Sequence, residues 1–208
     1  MSESLLDGRL RLYRGHFAAD AAGHAEGLRR ETRWLEVSYD NQGRAARLPR
    51  WTANYGERSY DYSGLVFAPE PWTPRLAALK AEAERLAGVA FNAAIVQLYR
   101  DGRDGVGWHA DESPAVGRDP VIASLSFGAA RRFQLRPKGE IAHSIELLLE
   151  PGDLLIMGGD LQHTHLHRVP REGSAVGPRI NVTFRAIVGE RASDAVPHAM
   201  VAVGDDRG

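Results

Sequence analysis

This chain predicts a mainly β fold with flanking helices, a sandwich or barrel, on three observations. From Ala93 onward, short apolar runs alternate with Gly- and Pro-marked turns, the spacing of an all-β core. Within that region Arg179-Ile180-Asn181-Val182-Thr183-Phe184-Arg185 alternates polar and apolar residues with the period of a strand. Helical spacing is confined to the part of the chain before Phe91.

Residues 20–36, with Ala21-Ala22 and Leu28, read as a short helix, and Trp34-Leu35-Glu36-Val37-Ser38-Tyr39 as a strand. Residues 74–87 are rich in Ala, Leu, Lys and Glu at helical spacing, so they predict an amphipathic helix whose leucines face a core. The Gly102 to Gly107 stretch and Pro151-Gly152-Asp153 read as turns into or between strands; neither has the form of a phosphate-cradling loop. The tail after Ala192, ending in Gly204-Asp205-Asp206-Arg207-Gly208, reads as disordered.

At 208 residues, 43% hydrophobic and 25% charged, the chain is sized for one domain with a real core. It has no cysteine, which excludes disulfides. Ser2 to Leu10 carries Glu3 and Asp7 where a signal peptide would be apolar, and no run reaches membrane-spanning length. A cytoplasmic location is expected on those grounds. The net charge of −1 does not mark a nucleic-acid binder, so the local distribution of cations matters more. Arg44, Arg47 and Arg50 share a stretch without acids, as do Arg131, Arg132, Arg136 and Lys138.

The chemistry is concentrated in three motifs. In Trp108-His109-Ala110-Asp111 the imidazole and carboxylate are two apart, so a strand would present both to one ion. A second histidine from a facing strand completes two histidines and one carboxylate, the open facial set of non-haem Fe(II) oxygenases. His163, His165 and His167 alternate, and spacing alone leaves all three open as that partner. A closed structural zinc site usually uses thiolates, which this chain lacks. The third motif is the strand that begins at Arg179 and ends at Arg185. Its two arginines are about 20 Å apart at strand rise. Reaching inward, they can hold both ends of a short dicarboxylate such as 2-oxoglutarate, because guanidinium suits bidentate carboxylate recognition.

With these residues the sequence resembles the AlkB-type Fe(II)/2-oxoglutarate-dependent dealkylases from about Leu48 to Ile187. Further matching stretches are Leu48-Pro49-Arg50, Tyr60-Asp61-Tyr62-Ser63-Gly64, Phe91-Asn92, Leu98-Tyr99-Arg100, Pro120 to Gly128 and Gly152 to Met157, together with His167-Arg168-Val169-Pro170. The resemblance implies a double-stranded β-helix, a jelly-roll barrel with the metal at its open end. It selects His109, Asp111 and His167 as Fe(II) ligands. It also implies that Arg185 meets the cosubstrate carboxylate beside the metal, with Arg179, Asn181 and Tyr99 at the far carboxylate. Gln97 stands where the family usually has asparagine and is expected to make a similar contact.

The resemblance further implies an N-terminal section, residues 1–90, of helices and a nucleotide-recognition lid packed on a dioxygenase core at 91–188, with 189–208 as a tail. The reaction it implies consumes 2-oxoglutarate and O2, demethylates N-alkylated bases such as 1-methyladenine and 3-methylcytosine in DNA, and releases formaldehyde, succinate and CO2. Such a base must be flipped or single-stranded to reach the metal. Tyr62 is expected to stack on it, Glu112 to contact it, and Arg50 to meet phosphate or base. Both arginine-rich stretches are expected at the mouth of the site. Duplex-acting members push an apolar finger into the stack from the loop before Leu48; here that loop reads Asp40-Asn41-Gln42-Gly43-Arg44. Single-stranded DNA is therefore the expected partner, with RNA possible and a monomer as the working form. Alternatives are a dioxygenase of the same fold acting on RNA, protein or a small molecule, and a nucleic-acid-binding module with a silent metal site.

Overall fold

The computed structural model describes residues 2–41, 44–62, 65–173, 176–189 and 200–203. The N-terminal part contributes β1 (Ser2–Leu5), β2 (Leu10–Tyr13), α1 (Ala21–Glu31), β3 (Leu35–Asn41), β4 (Arg44–Arg47), β5 (Trp51–Gly56), β6 (Tyr60–Tyr62), β7 (Leu65–Phe67) and α2 (Pro74–Ala87). Then come β8 (Ala93–Tyr99), β9 (Val106–His109), β10 (Ile122–Gly128), β11 (Arg131–Pro137), β12 (Ile145–Leu149) and β13 (Leu154–Met157). The single-turn α3 (Leu161–Thr164) leads into β14 (His165–Val169), β15 (Arg179–Arg185) and β16 (Met200–Ala202).

Local chemistry accounts for the long helix. Thr73 caps α2 by accepting the Leu76 N–H at 3.2 Å, Pro74 occupies its first turn, and Gly88 at φ 75° ends it in the left-handed region. Leu76, Leu79 and Ala83 are its buried stripe, as the spacing predicts.

A large sheet runs in the order β1-β2-β13-β10-β15-β8-β5-β3-β16, with β4 on β3, and a four-stranded sheet runs β12-β11-β14-β9. The pairings between these strands are antiparallel. Side-chain alternation divides the large sheet into two faces. Ala94, Val96, Leu98, Ala123, Leu125, Phe127, Ile180, Val182 and Phe184 join Leu28, Leu76 and Leu79 of the helices in one core. The opposite residues, among them Tyr99, Ile122, Leu155 and Met157, pack with Phe133, Leu135, Leu147 and Val169 of the small sheet in a second. The result is three layers, with helices outside and the two sheets enclosing the interior where the site lies.

Two features depart from the sequence-based division. β1, β2, β3 and β5 are strands of the large sheet itself, so much of the first 90 residues is built into the core's sheet. In the tail, Met200–Ala202 form β16 on the sheet edge, Met200 opposite Val37, so this piece is ordered by strand pairing; residues 190–199 and 204–208 lie outside the described residues. The Pro151 to Asp153 turn is confirmed. Gly152 holds φ 88° and a Cβ there would lie 2.6 Å from Ala18 N, so both conformation and close approach require glycine.

Candidate metal and cosubstrate site

A β-bulge sets the metal-facing geometry. His109 on β9 pairs with His167 on β14, but Val106 pairs with Val169, so three steps on β9 oppose two on β14. The extra residue turns both Val106 and His109 into the interior, and both line the inner cavity. Trp108 is left on the other face, between the guanidinium groups of Arg136 at 4.4 Å and Arg168 at 4.5 Å.

His109, Asp111 and His167 bring one ligand atom each to within 4.8 Å of one another. The His109 and His167 rings are 4.2 Å apart, and Phe133 stacks on His167 at 5.5 Å. His109 Nδ1 donates to Gly107 O at 2.9 Å, leaving Nε2 4.0 Å from Asp111 Oδ1. This outer hydrogen bond fixes the tautomer in the way metal-binding histidines require.

The protonation states suit a cation. Burial pushes His167 down to about 3, with His109 adding to the effect, and burial also lowers His109. Burial alone would raise Asp111, but Arg185, then His167 and His109, outweigh it and hold the carboxylate well below its usual range. Two neutral imidazoles beside an ionised carboxylate form a ligand set that needs no deprotonation. Asp111 Oδ2 accepts from Arg185 Nη2 at 2.6 Å, whereas Oδ1 is buried without a hydrogen-bond partner among the described residues. That buried lone pair fits a metal ion.

The candidate cosubstrate row is β15. It lies centrally in the large sheet and all seven of its residues are buried, which excludes a solvent-facing edge strand. Arg179, Asn181, Thr183 and Arg185 share its inner face. Tyr99 lies opposite Arg179, and Gln97 opposite Asn181, on β8. Asn181 Nδ2 donates to Ser124 Oγ at 2.9 Å and to Leu125 O at 2.8 Å, while its Oδ1 accepts from Thr183 Oγ1 at 3.0 Å. The Tyr99 hydroxyl donates to Gln97 Oε1 at 3.0 Å.

Arg179 donates from Nη2 to Ser126 Oγ at 2.8 Å, but its buried Nε and Nη1 have no hydrogen-bond partner among the described residues. Burial lowers its pKa from the ordinary value, with Tyr99 opposing that shift. A buried guanidinium with two unmatched donors fits a carboxylate at the far end of a small diacid. Arg185 fits the near end, beside the metal ligands.

Other expected contacts are distributed differently. His163 lies on α3 and is held between Glu112 Oε1 at 2.9 Å and Asp119 Oδ1 at 3.6 Å, so the chain is not yet extended there. His165 opens β14 with Nδ1 against Thr164 Oγ1. Glu112 is half exposed and paired with Lys138 and His163, away from the cavity lining. Arg50 is 2% exposed, donates to Gly105 O at 3.3 Å and lies close enough to His109 to influence its charge. The side chain of Tyr62 and residues 42–43 of the loop lie outside the described residues.

Arg131 is corrected. It is fully buried, donating to Asp101 O, Asp104 O and Pro170 O, because three converging carbonyls need a multivalent donor, so it cannot meet phosphate at the mouth. Arg47 pairs with Glu36 and Arg132 with Glu172, leaving both side chains partly exposed. The sequence reading missed Ser124 and Ser126, whose alternation within Pro120 to Gly128 was the available signal, and Thr183, which shares the β15 face. It also missed Gln162, for which no local signal exists.

With that geometry in hand, residues 13–185 match the model of the 2OG-Fe(II) oxygenase superfamily, and the chain belongs to that family. Within it the chain is of the AlkB type. It is 41% identical over 171 residues to the bovine (Bos taurus) "Alpha-ketoglutarate-dependent dioxygenase alkB homolog 3", covering 78% of this chain and 60% of that protein. It is 34% identical over 150 residues to the human (Homo sapiens) "DNA oxidative demethylase ALKBH2", covering 68% and 58%. The chain thus spans about 60% of the length of the curated relatives it matches. A solved structure described as "The structure of OsALKBH1" aligns with TM-score 0.61 at 17% identity, covering 89% of this chain and all of that one, which supports the jelly-roll fold. The family implies Fe(II), 2-oxoglutarate and O2, and the donor set fits all three. Among the described residues, no helix is long and apolar enough to cross a membrane.

Proposed function

We propose that the chain oxidatively demethylates N-alkylated bases of the 1-methyladenine and 3-methylcytosine type in DNA, prefers a single strand, and works as a monomer. The observation that carries this reading is the continuous polar row from the His109, Asp111 and His167 cluster through Arg185 to Arg179. Similarity to relatives named as an alkB homologue and as a DNA oxidative demethylase supports the substrate class.

When bound, Fe(II) with 2-oxoglutarate and O2 supplies an oxidative decarboxylation that yields succinate and CO2 and hydroxylates the N-alkyl carbon. His109, Asp111 and His167 would hold the metal from one side and leave the other positions open. Arg185 and Arg179 would orient the two carboxylates, so the cosubstrate enters in one direction. Phe133, Val106, Val169, Ile95 and Met157 line the same cavity and limit water beside the reacting atoms. The hydroxylated methyl group then leaves as formaldehyde: the N–C bond breaks, its electron pair returns to the base nitrogen, and the hydroxyl proton passes to water. No acid or base residue is required for that collapse, in keeping with a cavity whose charged groups are spent on metal and cosubstrate.

Of the expected substrate contacts, Arg50 has the most support, since it is buried and near enough to His109 to influence its charge, which suits the base more than a distant phosphate. Tyr62 is assigned to stacking, and Glu112 to the rim. The single-strand preference rests on the polar Asn41-Gln42-Gly43 segment, which offers no apolar plug for a vacated stack. The test is a panel of singly methylated DNA and RNA oligonucleotides, single and double stranded, scored by mass loss and formaldehyde. Repair of methylated single-stranded DNA is expected to be fastest, with Gln42→Phe raising duplex activity alone. Absence of formaldehyde from every oligonucleotide, in protein that forms the Fe(II)–2-oxoglutarate charge-transfer band, would move the substrate to another class.

A further inference from the structure

Asp111 lies beyond the paired part of β9, which ends at His109, so the ladder does not hold its backbone. Its N–H instead donates to Gln162 Oε1 at 2.9 Å, and Gln162 is 1% exposed. Because the partner is an N–H, the amide orientation is settled: oxygen faces Asp111 and Nε2 faces Met157 Sδ at 3.6 Å, a weak acceptor. Gln162 belongs to α3, the turn that feeds directly into β14 and His167. One buried side chain therefore ties the segment carrying the carboxylate ligand to the segment carrying the distal histidine.

We propose that Gln162 is a positioning residue for the metal centre, fixing the Asp111 backbone so that Oδ1 faces the two imidazoles while Oδ2 faces Arg185. The inference rests on the three-residue ligand assignment but not on the nucleobase substrate. Two restraints act on Asp111, the amide on its backbone and Arg185 on its carboxylate. With the first removed, rotation about the backbone can carry Oδ1 away from the imidazoles while the Arg185 pair persists. Outer-sphere partners of this kind typically change metal affinity 10- to 100-fold when lost.

The polar amide at a 1% exposed position has a competing structural role, and the two roles rank variants in opposite orders. Gln162→Met keeps the volume and loses the acceptor, whereas Gln162→Glu keeps a carbonyl acceptor whether or not it is ionised. A purely structural role makes Gln162→Met mild and Gln162→Glu severe, since a buried carboxyl costs more than a thioether. A positioning role makes Gln162→Met the poorer metal binder.

The measurement is Mn(II) affinity of the full chain by electron paramagnetic resonance, without cosubstrate, alongside thermal unfolding of the metal-free protein. Gln162→Met should bind Mn(II) at least tenfold more weakly than the unmodified chain, with Gln162→Glu restoring most of the affinity despite a lower Tm. Should Gln162→Met not fold, Gln162→Asn serves instead, because its shorter amide withdraws the acceptor while keeping the polarity. Affinity in Gln162→Met, or in Gln162→Asn, within twofold of the unmodified chain overturns the proposal. So does an affinity order that simply follows Tm. If His109→Ala and Asp111→Ala also leave Mn(II) affinity unchanged, the ligand assignment itself has failed.

Discussion

Two fully buried arginines lie against the ring of Tyr99, Arg131 at 5.6 Å and Arg179 at 5.3 Å, in regions with opposite habits. Arg131, from the small sheet, has its Nη groups on three backbone carbonyls and its Nε 3.8 Å from Glu172. Arg179, from the large sheet, has one serine hydroxyl and two buried donors without a hydrogen-bond partner among the described residues. Burying a guanidinium is costly unless its hydrogen bonds are matched. The protein matches both Nη groups of Arg131, leaving only its Nε without a hydrogen bond among the described residues, and thereby pins the 101–104 turn to Pro170. It matches only one Nη group of Arg179, which on the proposed function leaves the other donors for a ligand. Residue type and burial are the same in both, so only the pattern of partners separates an architectural cation from a binding one.

The largest expected effect lies at the other end of the Arg179 row. Asp111→Ala, His109→Ala or His167→Ala should each abolish formaldehyde release, because a facial site short of one ligand no longer holds the metal. Normal iron-dependent turnover in His167→Ala, with loss in His163→Ala or His165→Ala, would transfer the distal ligand to another histidine.

Next is the architectural arginine. Arg131→Met strands three carbonyls, one buried and two partly buried, at roughly 1 kcal/mol apiece, so a loss of up to about 3 kcal/mol is expected in urea unfolding of the metal-free chain. The 2-oxoglutarate requirement of the folded fraction should change much less. A variant as stable as the unmodified chain would dissolve the contrast.

Arg179→Met should reverse that pattern. The cosubstrate requirement should rise by about 2 kcal/mol, roughly thirtyfold, the cost of removing one partner of a buried charged hydrogen bond. Stability without ligand should stay level or increase, since an apolar side chain of similar size replaces an unmatched charge. Unchanged cosubstrate affinity would refute the clamp, and a large loss of ligand-free stability would place Arg179 in the same class as Arg131.

The same contrast marks what could be read from the sequence. The alternation of residues 179–185 was sufficient to put both arginines on one face, and residues 74–87 to give a helix with its buried leucines. What strand periodicity cannot reveal is depth. β15 could have been an edge, and Arg131 in an acid-free stretch read as a mouth cation, because the three carbonyls that hold it come from distant turns. Nor could spacing rank the three histidines. His163 leaves the series because α3 interrupts the extended chain, while a one-residue bulge in β9 aims His109. Gln162 was invisible because its hydrogen bond to Asp111 joins residues 51 positions apart.

The smallest expected effect comes from an arginine at the surface, which tests whether exposure removes the stakes altogether. Arg85, 61% exposed, pairs with Glu82 on the same helix, and His16 closes on the same carboxylate. The Arg85 hydrogen bonds are the chief influence lowering Glu82 from 4.5 to about 2. A carboxylate depressed on folding contributes stability that is fully present above its unfolded value and is lost as the pH falls through the folded one. The window here is therefore about 4.5 down to about 2. At neutral pH Glu82→Gln should cost no more than about 1 kcal/mol, because solvent screens exposed pairs and long side chains lose entropy in forming them. Thermal unfolding against pH should have the two proteins differing slightly at neutral pH and converging near pH 2. A neutral-pH difference several times larger would rank this surface pair with the buried arginines, and burial would no longer explain why Arg131 and Arg179 matter.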